Sequence, residues 1–258
     1  MQVTTTHRIF VGTHDLTHSK VASLRRPEYR KNYERAYMQD LKRYGDEMTL
    51  ERANKILLER SLTREVLLRM WNEVSFSMPR RELSGIEATL MKVAERLPHK
   101  PLSKEVLLKL NRFLLQPTDV NPNIMIQDAF EFGSIAEILY AEKLPTIRLW
   151  NHFKDYMIGG TPDGVANSYV YEFKATTQTG REVERIKRMA MRQALLYAYV
   201  FRRPGIRIQV AEFQMNHEHF PLKVKDLHKP EITSINEPAS QDKALAILGD
   251  FDKAFHEI

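Results

Sequence analysis

The sequence predicts an α/β protein: a mixed, mostly antiparallel sheet flanked by helices, preceded by a helical N-terminal region. Three observations carry that expectation. A hairpin is expected over 159–174, after strands at about 146–151 and 154–160, and the alternating run IRIQVAEFQM follows Pro204-Gly205. Between hairpin and run, apolar residues from Arg181 to Phe201 recur at helical spacing. Before residue 116, apolar stripes follow candidate caps at Thr49, Thr63, Ser84 and Ser103.

Composition narrows the class. A chain of 258 residues makes one large domain or two small ones and can bury a core. The net charge of +6 suits a polyanionic partner but does not require one. The absence of cysteine excludes disulfides, thiolate zinc sites and a cysteine-ligated iron–sulfur cluster. No apolar run approaches the ~20 residues that span a membrane, and the N-terminus lacks the apolar core of a secretory signal. Its Thr, Ser and Arg with few acids faintly suggest an organelle leader, but Ile9-Phe10-Val11 reads equally well as a short strand. The expectation is an intracellular protein, cytoplasmic or nucleoid, with no membrane partner.

The N-terminal region, 1–116, is read as helical and basic. His7, His14 and His18 are either scattered surface residues or a metal cluster. From Lys20 to Arg43, seven further basic residues (Arg25, Arg26, Arg30, Lys31, Arg35, Lys42, Arg43) alternate with Tyr29, Tyr33 and Tyr37, and Tyr44 follows. Such a stretch contacts single-stranded nucleic acid by charge and stacking, or packs its tyrosines inward as an amphipathic helix starting near Pro27-Glu28. The segment QPTDVNPNIMIQD, 116–128, reads as a loop and the boundary of a second region, 117–258. A short helix is expected from Gly133 to Glu142, a short strand near 219–224 and a last helix from Gln241 to His256.

The hairpin GGTPDGVANSYVYEFK holds the chemistry. With Asn167-Ser168 as its turn, Asp163 lies opposite Glu172. Facing carboxylates repel, and a divalent cation between them removes the penalty. Glu172 and Lys174 share a face, while Tyr171 and Phe173 point the other way, toward a core. Gly159-Gly160 admits a close backbone approach. The alternative is a solvated hairpin with ordinary surface charges.

Two helices flank this hairpin. Glu137 sits among Ile135, Ala136, Ile138, Leu139 and Tyr140, so it either needs a partner such as a metal or lies on the surface side. In the Arg181–Phe201 helix, Gln193 and Tyr197 fall within the apolar face, where the amide needs a hydrogen-bond partner; the hairpin is the expected one. Arg181, Arg185, Arg188 and Arg192 align beside that face, as a phosphate-contacting stripe or an exposed helix side.

Pro162-Asp163, eight residues, then Glu172-Phe173-Lys174 resembles the signature of the PD-(D/E)xK nuclease superfamily. The segments FGSIAEILYAE and RQALLYAYVF are similar to the helices flanking that signature in its RecB-like exonuclease branch, which includes CRISPR-associated adaptation nucleases. The matched span runs from about Gly133 to Phe201. Two departures stand out: Glu137 occupies a place where many relatives carry His, and the cysteines of iron–sulfur relatives are missing. The resemblance implies a restriction-endonuclease-like core. It implies Mg²⁺ or Mn²⁺ held by Asp163, Glu172, Glu137 and the Phe173 carbonyl, with Lys174 at the attacking water and Gln193 and Tyr197 positioning. It also implies an exonuclease on DNA ends or single strands, in replication, recombination or repair. A structure- or sequence-specific endonuclease and a catalytically idle DNA-binding protein are the alternatives.

Overall fold

The computed structural model describes residues 9–13, 16, 27–59, 125–126, 129–142, 144–214, 220–223 and 229–256. The helical segments expected after Thr63, Ser84 and Ser103 lie outside these residues, as do most of the 116–128 loop and His7, His14 and His18.

The chain is α/β, with mixed sheets flanked by helices. One sheet has the order β1 (Ile9–Gly12), β4 (Tyr156–Gly160), β3 (Leu149–Phe153). A second has the order β5 (Gly164–Val165), β6 (Tyr169–Thr176), β7 (Gly205–Glu212), β9 (Glu231–Pro238). β2 (Met125–Ile126) and β8 (Leu222–Lys223) form a small antiparallel pair. The ladders β1–β4 and β6–β7 are parallel, and β3–β4, β5–β6 and β7–β9 are antiparallel.

The parallel pair β6–β7 needs a long crossover, and helix α3 (Arg181–Phe201) supplies it. Its buried side, including Val183, Ala190, Ala194 and Tyr197, joins Val170, Ile206, Ile208 and Val210 in the main core. Helix α4 (Gln241–His256), as expected, adds Ile247, Leu248 and Phe251 to it. On the opposite face of the second sheet, Phe132 and Ala136 of helix α2 (Ala129–Tyr140) pack with Tyr171, Phe173 and Phe213. β6 is therefore covered on both faces, which places Glu172 in the interior.

The first described residues share this core. Val11, Leu16, Met48, Ala53 and Leu57 belong to the same cluster as Ile158 and Leu196. The Thr49 cap is formed, its hydroxyl accepting the Arg52 N–H at 3.2 Å, and residues 50–59 are helical. In helix α1 (Pro27–Tyr44), Tyr37 stacks against Phe10 and Trp150 with centroids 5.1 and 5.4 Å away, and Tyr33 lies over Gly12. Inward packing buries the Tyr37 ring, while Tyr33 is partly buried.

Several elements differ from expectation. Strand β3 starts at Leu149 rather than about 146, because 144–148 form no ladder; the Pro145 carbonyl instead accepts the Val165 N–H. Helix α2 starts at Ala129 and runs through Gly133, because burying Phe132 against Phe213 outweighs the ~1 kcal/mol that an interior glycine costs. The 116–128 loop contains β2. Strand β9 was not expected: its only aliphatic residues are Ile232 and Ile235, and it is held at a sheet edge by its ladder to β7.

Candidate active site

The two-residue turn at Asn167-Ser168 is formed: Ala166 N–H donates to the Tyr169 carbonyl at 2.9 Å. Gly164 pairs with Tyr171 and Val165 with Val170, and the ladder stops one step before Asp163 and Glu172. β5 is short because the chain bends at Asp163, where it crosses from the first sheet to the second. The Asp163 carboxylate takes the Phe173 N–H at 2.8 Å that a longer strand would have accepted. In an antiparallel strand the N–H and C=O of one residue face the same edge, so the Phe173 carbonyl also looks toward the Asp163 side.

Glu172 is 1% exposed, and Lys174 forms an ion pair with its Oε1. Its Oε2 is buried and has no hydrogen-bond partner. Burial, then the charge of Asp163, pushes the Glu172 carboxyl up to about 8 against the pull of Lys174. Burial works against the Lys174 ammonium, but Glu172 and Asp163 outweigh it and its pKa is raised.

A buried carboxylate with one oxygen unpartnered is costly unless something satisfies it. A divalent cation fits this pair, since Mg²⁺ takes one or two carboxylates and completes its shell with water and phosphate oxygens. Glu137 stands differently. It is half-buried on α2, and its charge acts on Glu172 and Lys174. Yet among the described residues no three acidic, histidine or cysteine side chains gather closely enough to hold one ion as they stand.

Gln193 and Tyr197 are buried on α3, 5% and 4% exposed. The partner of the Gln193 amide is the Tyr197 hydroxyl, at 3.0 Å, one turn along the same helix, and not the hairpin. Burial raises the Tyr197 pKa, and the charges of Glu172 and Asp163 raise it further, so the phenol stays protonated beside the carboxylates. The glycine pair is closely approached on both sides. A Cβ on Gly160 would lie 2.5 Å from the Tyr197 ring, and one on Gly159 would lie 2.4 Å from Trp150.

Arg181, Arg185 and Arg188 are exposed and Arg192 half-buried on one side of α3. Arg185 pairs with Glu182 at 2.7 Å, which offsets part of its charge. Sequence reasoning missed Thr13, 1% exposed and converging with Tyr197 over Gly160. It belongs to no motif, and only the hint of a strand at Ile9-Phe10-Val11 lay near it.

No family model matches the chain, and no curated protein matches it. No helix among the described residues is long and apolar enough to cross a membrane.

Proposed function

We propose that the chain carries a restriction-endonuclease-like core and is a metal-dependent DNA exonuclease, acting at ends or on single strands in replication, recombination or repair. The observation that supports this reading most is the buried Oε2 of Glu172, left without a partner beside Asp163 and Lys174. A surface hairpin has no reason to bury a carboxylate half-satisfied, whereas an ion seat does.

In this reading Asp163, Glu172 and the Phe173 carbonyl hold Mg²⁺ or Mn²⁺, and Glu137 adds negative charge from α2. The ion, when bound, supplies Lewis acidity toward a phosphate oxygen and lowers the pKa of water. Lys174 orients or deprotonates the attacking water, or offsets transition-state charge. Tyr197 stays protonated and offers a hydrogen bond at the site. The arginine stripe on α3 takes non-bridging phosphates along the strand.

Digestion of end-labelled linear DNA and of circular single-stranded DNA, with Mn²⁺ and with chelator, tests the reading. Linear DNA should be degraded from an end only with the ion, and circles should survive. Cut circles would point to an endonuclease on the same core. Intact linear DNA with Mn²⁺ would overturn the nuclease reading.

A further inference from the structure

The N-terminal strand brings to the candidate site a side chain that no motif marks. Thr13 follows β1 and lies outside the 133–201 span of the resemblance. β1 runs parallel to β4 with Gly12 beside Gly159, which carries Thr13 up to Gly160. A Cβ on Gly160 would meet Thr13 Cγ2 and Oγ1 at 2.9 Å and Tyr197 Cε1 at 2.5 Å, so the two side chains converge over one glycine. Thr13 is 1% exposed, Tyr197 4% and Gln193 5%. Polar groups buried this deeply need partners. The Thr13 hydroxyl lies beside the Tyr197 phenol, whose oxygen accepts from the Gln193 amide at 3.0 Å.

We infer that Thr13 is a positioning residue of the candidate site. Its side chain lies against the phenol and the Gln193 amide donates to the Tyr197 oxygen, which together fix the ring near Asp163 and Glu172 and leave the phenol to donate its own proton. The inference rests on the nuclease reading for its consequence in turnover, but the contact itself can be tested without turnover.

Two variants separate hydrogen bonding from packing. Thr13→Val keeps the bulk and loses the hydroxyl; Thr13→Ser keeps the hydroxyl and loses the methyl. Metal-dependent DNA cleavage is measured for both, together with the ¹³Cζ resonance of Tyr197, assigned by its loss in Tyr197→Phe. Thr13→Val should lower kcat about tenfold with KM unchanged, the effect of one lost hydrogen bond, and should move the Tyr197 resonance. Thr13→Ser should restore both. Thr13→Ser as the weaker enzyme would make Thr13 a packing residue and overturn the inference, and so would an unmoved resonance in Thr13→Val. If the wild-type chain cleaves no DNA, the nuclease reading fails, and the resonance still decides whether Thr13 sets the phenol.

Discussion

The Lys174 ammonium engages Oε1 of Glu172 and leaves Oε2 of the same carboxylate buried with no hydrogen-bond partner. An ion pair whose acid is only half satisfied is poor evidence of stabilisation, since burying the charge costs more than one contact returns. In the proposed reading a divalent cation completes that carboxylate.

The metal-free protein should lose stability as pH rises from about 5 to 8. Burial and Asp163 raise the Glu172 pKa from 4.5 to about 8, so over that window the folded chain keeps a proton that the unfolded chain releases. Stability then falls with rising pH, by at most roughly a few kcal/mol for so large a shift. Urea denaturation with chelator at several pH values measures the slope, and Glu172→Gln should flatten it.

Lys174→Ala should abolish cleavage, by at least about a hundredfold, and leave DNA binding intact, because the charge it supplies matters most in the transition state. Cleavage rates and a binding isotherm on the same DNA separate the two. Wild-type cleavage in the variant would remove Lys174 from the chemistry.

Gly160→Ala should destabilise the chain by about 1–3 kcal/mol and slow cleavage. The new methyl would lie 2.5 Å from the Tyr197 ring and 2.9 Å from Thr13, inside a paired strand that cannot move aside. Thermal denaturation reads the first effect, and Gly45→Ala serves as a contrast: nothing lies within 4 Å there, and only its positive φ of 78° is strained.

Replacing Arg185 and Arg188 together with Glu should weaken DNA binding and flatten its salt dependence by about two counter-ions. Both are exposed on α3, and neither belongs to the core, so folding should be unaffected. Unchanged affinity would make the stripe an ordinary solvated helix side.

Local pattern carried much of this structure. The Asn167-Ser168 turn set the register of Gly164 with Tyr171 and Val165 with Val170, and the alternation of Tyr171 and Phe173 with Glu172 and Lys174 set their faces. Helix α4 was legible in its apolar stripe alone. Strand β9 was not, because its stability comes from backbone pairing with β7 and its side chains are mostly exposed. Thr13 was invisible for a related reason: its partner, Tyr197, is supplied by a distant helix and meets it only once β1 has paired with β4. The Gln193 amide was expected to turn to the hairpin, but the Tyr197 hydroxyl one helical turn away satisfies it first.

Binding of Mn²⁺, followed by the loss of the free-ion electron paramagnetic resonance signal at neutral pH, tests the ion seat without any substrate. The wild-type chain should take up Mn²⁺, and Glu172→Gln and Asp163→Asn should each weaken uptake by about tenfold or more. Equal uptake by wild type and Glu172→Gln, or none by the wild type, would contradict a cation at Oε2 of Glu172.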